Sequence, residues 1–223
     1  MTAHFPNSPD VVTGIVDYTP SKSVYREYFK RVFDVVFVLA AAVVIVPVVA
    51  ILCFLVALDG SSPFFIQRRV GKGGRLFSMV KLRSMVPNAD RKLAVYLASN
   101  GEARAEWDRT QKLKHDPRVT WVGRLIRKTS LDELPQFWNV LMGSMSVVGP
   151  RPMMPSQRDL YPGQAYFALK PGVTGFWQIG DRNNTSFAAR ARYDAEYYKK
   201  SSMTTDLWVI ARTLKVVVRM TGV

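Results

Sequence analysis

Residues 35–58 read VVFVLAAAVVIVPVVAILCFLVAL, 24 consecutive positions without a charge. At ~1.5 Å per residue, a helix of this length reaches across a hydrocarbon core of ~30 Å. Pro47 stands at its centre. It has no amide proton to donate and its ring crowds the preceding turn, so a kink or break is expected there. Basic residues flank the run on both sides: Lys22, Arg26, Lys30 and Arg31 before it, and Arg68, Arg69, Lys72 and Arg75 after it. A crossing helix keeps its basic excess on the cytoplasmic side. Symmetric flanks therefore suit a segment that enters, bends at Pro47 and returns to the same face; a kinked spanning helix is the other reading. Either one ties the chain to a membrane, and no second run of this length follows.

Outward from this segment, residues 1–29 have no apolar stretch behind a basic start, so they do not read as a signal peptide. They are rich in Pro, Ser, Thr and Asp and read as a mobile tail ending near Tyr25. The whole chain has 223 residues, enough for one sizeable core, and a formal charge of +14. That excess suits a polyanionic partner, whether nucleic acid, an anionic membrane face or a phosphorylated substrate. The single cysteine, Cys53, excludes an intramolecular disulfide and lies in the apolar run, where it reads as a small buried hydrophobe. One cysteine and two histidines argue against structural zinc.

Beyond the apolar run, residues 64–69 and 75–83 flank Gly71-Lys72-Gly73-Gly74 and predict a β-hairpin. A phosphate-cradling reading of these glycines lacks the strand–loop–helix context it needs. Residues 88–114 are polar and helix-prone, a surface helix or lid with Trp107 as an isolated aromatic, ended by Asp116-Pro117. A basic amphipathic stretch follows over residues 124–128, then Ser130-Leu-Asp132-Glu133-Leu-Pro135-Gln136 and an apolar helix closed by Gly143. Two stiff loops come next, around Gly149-Pro150-Arg151-Pro152 and over residues 171–178. A helix is expected over residues 187–200. Residues 206–220 form an amphipathic helix with Leu207, Ile210 and Leu214 on one face and Arg212, Lys215 and Arg219 on another. Such a helix either lies on anionic lipid or packs against the core.

The chemistry centres on Asp132 and Glu133. Adjacent helix positions do not face each other, so a symmetric acid pair is not expected. One reading is a capping box, Ser130-x-x-Glu133. The other uses the same place: a carboxylate in a helix first turn sits at the positive end of the dipole and stays ionised, ready to act as nucleophile or metal ligand. Arg127, Arg151 and Arg182 are the candidate phosphate clamps; as single residues, each could equally belong to a solvated basic surface.

Lys30-Arg31-Val-Phe33-Asp34, the proline-interrupted apolar run, Lys81-Leu-Arg83-Ser-Met85, Ser130–Gln136, Gly149–Pro152 and Pro171-Gly-Val-Thr-Gly-Phe-Trp177-Gln178 occur in one order over residues 30–220. In that order they resemble the bacterial sugar transferases, the monotopic phosphoglycosyl transferases that begin exopolysaccharide and glycan assembly. The short form is similar to galactose-1-phosphate transferases. The resemblance implies that Asp132 attacks the sugar-linked phosphate of a UDP-hexose and releases UMP. Polyprenyl phosphate then attacks the aspartyl intermediate. It implies that Glu133 helps hold Mg²⁺, with Asp132 as the other metal ligand, or assists the acceptor step, and that Arg127, Arg151, Lys81 and Arg182 contact phosphates. Gly172, Thr174, Gly175, Trp177, Gln178 and Asn183 fall on the nucleotide side. Val46 stands where many members have Ser before the break proline, and Asp181 where Gly is usual in the loop before Asn183.

The resulting expectation is an α+β, mainly helical, monotopic membrane protein with a proline-broken re-entrant helix, a small β-hairpin and amphipathic interface helices. Residues 1–25 would be the N-terminal tail, 26–60 the re-entrant helix and 61–223 a catalytic domain at the cytoplasmic face of the bacterial inner membrane. The expected partners are UDP-hexose (galactose or glucose), undecaprenyl phosphate, membrane lipid and a second copy of the chain, with no nucleic acid. The competing class is a membrane-tethered cationic binding or scaffold protein without catalysis.

Overall fold

The computed structural model describes residues 19–110, 113–180 and 187–218. It is mainly helical with two small sheets. A π-helical turn, Tyr25–Phe29, leads into α1, Lys30–Ala57. Among the described residues this is the one helix long and apolar enough to cross a membrane. The chain stays helical through Pro47, so the expected break is not a gap in the helix. Proline deletes one backbone donor and holds φ near a helical value, which a long helix can absorb.

Both ends of α1 are bolted to the rest of the molecule. At its start, Lys30 Nζ lies 3.0 Å from Asp34 and 2.8 Å from Asp206. Asp34 also accepts from Ser146 Oγ and the Val147 amide, each at 3.0 Å. Asp206 also accepts from the Tyr25 and Tyr197 hydroxyls at 2.6 and 2.7 Å. Arg31 donates to the carbonyls of Val140 and Leu141 at 2.5 and 2.6 Å, satisfying acceptors at the C-terminal end of a helix that has no further turn to donate to them. At the far end, Arg83 spans Asp59, at 2.6 Å, and the Val56 carbonyl, at 3.1 Å. Val38 packs into the main core with Val140, Val147 and Val209, and Leu52 and Val56 pack with Leu82 and Ile126. Between these contacts, Val43, Val44 and Val46 are exposed.

The hairpin forms as expected: β1, Phe64–Val70, pairs antiparallel with β2, Leu76–Leu82, from Phe64 opposite Leu82 to Val70 opposite Leu76. Its turn needs Gly73 and Gly74, whose φ values of 67° and 77° lie in the left-handed region. The polar stretch 88–114 is two helices, α2 (Ala89–Ser99) and α3 (Gly101–Thr110), rather than one. Asn100 leaves the helix with φ −135°. Its side chain then accepts the Ala103 amide at 3.0 Å, restarting a helix as an N-cap does. Trp107 is not isolated, because the Arg118 guanidinium lies 5.2 Å from its ring.

Next come α4 (Trp121–Lys128), capped by Thr120, and α5 (Gln136–Leu141). β3 (Ser146–Val148) pairs parallel with β4 (Gly172–Thr174). The remaining helices are α6 (Ala165–Ala168), α7 (Phe176–Ile179), α8 (Arg190–Lys200) and α9 (Met203–Val218). In α9 the buried positions are Asp206 and Val209, while Met203, Leu207 and Leu214 are exposed. Of the apolar stripe read from the sequence, Ile210 packs on the main core beside Trp208 and Val209, while Leu207 and Leu214 face outward.

Candidate active site

In an antiparallel pair, directly opposed residues share a face and the face alternates along each strand. The register puts Phe65 opposite Lys81, Gln67 opposite Met79 and Arg69 opposite Phe77, so Lys81 and Arg69 belong to one face. α5 is pinned beside that sheet by Asn139, which accepts from the Val80 amide at 3.0 Å and donates to the Ser78 carbonyl at 2.8 Å. The segment before α5 is thereby brought over Lys81.

That segment is not the first turn of an α-helix, as the sequence suggested. Ser130 is left-handed (φ 56°) and makes no side-chain cap, so the capping box is absent. Asp132 and Glu133 occupy a 3₁₀ turn, Leu131–Glu133, whose backbone bonds tighten to Glu133 N–Ser130 O and Leu134 N–Leu131 O. Leu131 roots the turn in the cluster with Leu52 and Ile126. Both carboxylates converge on one ammonium: Lys81 Nζ is 3.3 Å from Asp132 Oδ2 and 2.9 Å from Glu133 Oε1. Their side chains remain 15% and 21% exposed, so solvent and ligands reach them. The dipole does not decide the charge state of Asp132. Burial pushes its carboxyl above the usual range, and Lys81 and Arg127 oppose that without cancelling it.

Arg151 reaches Glu133 at 3.7 Å and lies 5.5 Å from the Trp177 ring. Arg127 donates through Nε to Ser84 Oγ at 2.8 Å while its charge acts on Asp132. Arg182 and Asn183 lie outside the described residues. Gly172 and Gly175 have a packing task beside any ligand role. A Cβ on Gly172 would come within 2.1 Å of the Gly149 nitrogen, and one on Gly175 within 2.0 Å of the Gly149 carbonyl oxygen. Three glycines thus let the two proline-bearing loops lie against each other, with Gly149 N donating to Thr174 O and Gly172 N to Pro150 O, both at 2.8 Å. The Thr174 hydroxyl is shared with Thr213 at 2.6 Å. Pro47 is exposed on α1, on an element that supplies the site's support rather than its side chains.

A cleft forms where these parts meet, with Arg69, Lys81, Glu133, Arg151 and Gln178 in its wall. Two cleft-side arginines were missed by the sequence reading. Arg69 lines the cleft, and Arg190 lies 4.2 Å from the Trp177 ring. The parity of the hairpin carried the signal for Arg69; Arg190 had none, because its place depends on how α8 packs. A divalent cation fits this donor set. Two carboxylates already turn toward a single positive charge, and Mg²⁺ commonly takes one or two carboxylates together with substrate phosphates. No cluster of three or more acidic, His or Cys side chains stands among the described residues.

Comparison with known proteins adds the lineage. The family model for bacterial sugar transferases matches residues 25–220. A UDP-galactose-lipid carrier transferase of Erwinia amylovora is 45% identical over 197 residues, 87% of this chain and 41% of that protein. The exopolysaccharide production protein ExoY of Sinorhizobium fredii is 43% identical over 191 residues, 84% of both chains. A UDP-glucose:undecaprenyl-phosphate glucose-1-phosphate transferase of Escherichia coli K12 is 35% identical over 207 residues, 88% of this chain and 41% of that protein. The chain thus spans about two fifths of the Erwinia and Escherichia relatives. With the match running from the turn before α1 into the last helix, the chain belongs to the bacterial sugar transferase family.

Proposed function

We propose that the chain transfers hexose-1-phosphate from a UDP-hexose, galactose or glucose, to undecaprenyl phosphate, as the first membrane step of exopolysaccharide synthesis. The observation that carries this reading is the convergence of Asp132 and Glu133 on Lys81 at the rim of an arginine-lined cleft. The names of the Erwinia and Escherichia relatives point to the same donors and acceptor.

Asp132 is the nucleophile. Its oxygen attacks the sugar-bearing phosphorus, the bond to the bridging oxygen breaks, and UMP leaves with the electron pair. Lys81 holds the carboxylate in place and favours its ionised form against burial. Arg151 and Arg127 would compensate the phosphate oxygens of the donor. Asp132 and Glu133 would hold Mg²⁺, which supplies charge neutralisation on phosphate oxygens when bound.

The membrane reading is re-entrant. Val38 and Val56 lie 18 positions apart, about 27 Å along a helix. Yet both ends of α1 are held by the same globular body, and the stretch around Pro47 is the exposed part. That pattern suits a segment whose middle enters one leaflet of the bacterial inner membrane from the cytoplasmic side. It would hold the carboxylates at headgroup depth, where a soluble nucleotide sugar and a lipid phosphate can both arrive.

The test is UMP release from UDP-galactose and UDP-glucose in lipid nanodiscs with undecaprenyl phosphate. Release that requires Asp132 and is abolished by a magnesium chelator is the expected result. Well-folded protein that releases UMP from neither donor, nor from other UDP-sugars, would leave the cationic scaffold as the better description.

A further inference from the structure

Helix α8 begins with a charge that does not suit a helix start. Arg190 is its first residue, so a guanidinium stands at the positive end of the dipole. Asp194 follows one turn on, and a cation ahead of a carboxylate is the poorer order for such a pair. The guanidinium is partly buried, 4.2 Å from the Trp177 ring and 5.0 Å from the Phe187 ring. Its buried Nε has no hydrogen-bond partner among the described residues. Among those residues, the charges of Arg151 and Arg69 repel it and Asp194 is the carboxylate that attracts it. Burial and Arg151 together pull its pKa down to about 10, with Asp194 resisting.

Asp194 is itself buried, 5% exposed, and accepts from the Tyr161 hydroxyl at 2.6 Å. Tyr161 is wedged among the rings of Tyr166, Phe167 and Phe187. Burial pushes the Asp194 carboxyl up to about 7, against the Tyr161 bond and the Arg190 charge. A carboxylate held at such a cost is poor framework, since a neutral acceptor of the same shape would serve Tyr161 as well. Its charge has a use one turn away, at Arg190. Trp177 also takes a second guanidinium, that of Arg151 at 5.5 Å, and Arg151 reaches Glu133 at 3.7 Å. A line of contacts thus runs from the interior of α8 through Arg190 and Trp177 to Arg151. Resting on the transferase reading above, we propose that Asp194, seated by Tyr161, is a positioning residue that holds Arg190 against Trp177 and so fixes Arg151 for the nucleotide-sugar donor.

The experiment compares the full chain in nanodiscs as wild type, Asp194→Asn, Arg190→Gln and the double variant. Asparagine keeps the shape and an acceptor for Tyr161 and removes only the charge. KM for UDP-galactose or UDP-glucose should rise by about tenfold in each single variant, with kcat little changed. The double variant should match Arg190→Gln, because a residue that acts through Arg190 has no effect once Arg190 is gone. The unfolding temperature of Asp194→Asn should equal or exceed that of wild type. A carboxyl whose folded pKa lies above its unfolded value costs stability when ionised, and the amide does not carry that cost. A readout without turnover is acrylamide quenching of Trp177, taken as the difference between each protein and its Trp177→Phe counterpart. Quenching should rise in Asp194→Asn to the level of Arg190→Gln as the guanidinium leaves the ring. Unchanged KM or unchanged quenching in Asp194→Asn would overturn the proposal, and so would additive effects in the double variant. A lower unfolding temperature with kcat reduced as well would mark Asp194 as merely structural. Wild type that turns over without coupling between the two residues loses only the positioning role. Wild type that never releases UMP loses the transferase reading, and quenching then still decides whether Asp194 holds Arg190 on Trp177.

Discussion

Two places in the molecule set two carboxylates against one lysine, and they could hardly be finished more differently. At the root of α1, Lys30 joins Asp34 and Asp206, which are 1% and 0% exposed. Each of these carboxylates also accepts from two further groups, Ser146 and Val147 for one and Tyr25 and Tyr197 for the other. At the cleft, Lys81 joins Asp132 and Glu133, which stay partly open, beside arginine and glutamine atoms without partners. The first cluster is closed by its own chain and holds the membrane segment. The second stays partly open to solvent. Composition alone does not separate a structural ion cluster from a reactive one; the tally of satisfied donors does.

The comparison is most easily broken at Asp132. Asp132→Asn should lower UMP release by roughly 10⁴-fold or more. It should leave thermal stability equal or higher. A carboxyl whose folded pKa lies above its unfolded value costs stability once ionised, a cost that grows with pH above the unfolded pKa and that the amide does not carry. A clear loss of stability would mean that this carboxylate, too, is part of the frame. The reverse pattern belongs to Asp206→Ala, expected to cost about 3–5 kcal/mol in urea unfolding by stranding Lys30, the buried Tyr197 hydroxyl and the half-buried Tyr25 hydroxyl. A loss below about 1 kcal/mol would show the closed cluster to be ornamental.

Lys81→Met should act through pH. Lys81 holds the raised Asp132 pKa down, so its removal raises that pKa further, and the acid limb of the rate profile should move to higher pH. An unmoved limb would mean that another group titrates in the rate. The smallest effect is expected for Tyr197→Phe, which takes one of three donors from Asp206: about 1–2 kcal/mol of stability with kcat unchanged. A large fall in kcat there would tie the anchor cluster to catalysis.

What the sequence disclosed follows the range of the interactions involved. The hairpin was legible because alternation and Gly73-Gly74 are local, and the same alternation puts Arg69 on the same face as Lys81. The Asp132-Glu133 pair, proposed as catalytic, was legible as a motif but not in its geometry. Ser130-x-x-Glu133 has the letters of a capping box, yet a left-handed Ser130 and the packing of Leu131 make a 3₁₀ turn instead. Asn100 divides a polar helix that composition ran together. The unpaired amide of Gln178 could not be read at all, because its burial depends on two loops meeting across 22 or more residues through Gly149, Gly172 and Gly175.

The membrane segment is also a piece of the globular interior. Val38, Leu52 and Val56 are core residues by every measure of packing, and Asp34 completes a hydrogen-bond network that reaches β3. Cutting the chain after α1 to obtain a water-soluble enzyme would therefore open two holes in the domain and strand Ser146, the Val147 amide and Asp206, which α1 now serves. Engineering for solubility has to repaint the exposed middle of the helix, around Val43, Val44 and Val46, and leave its ends alone.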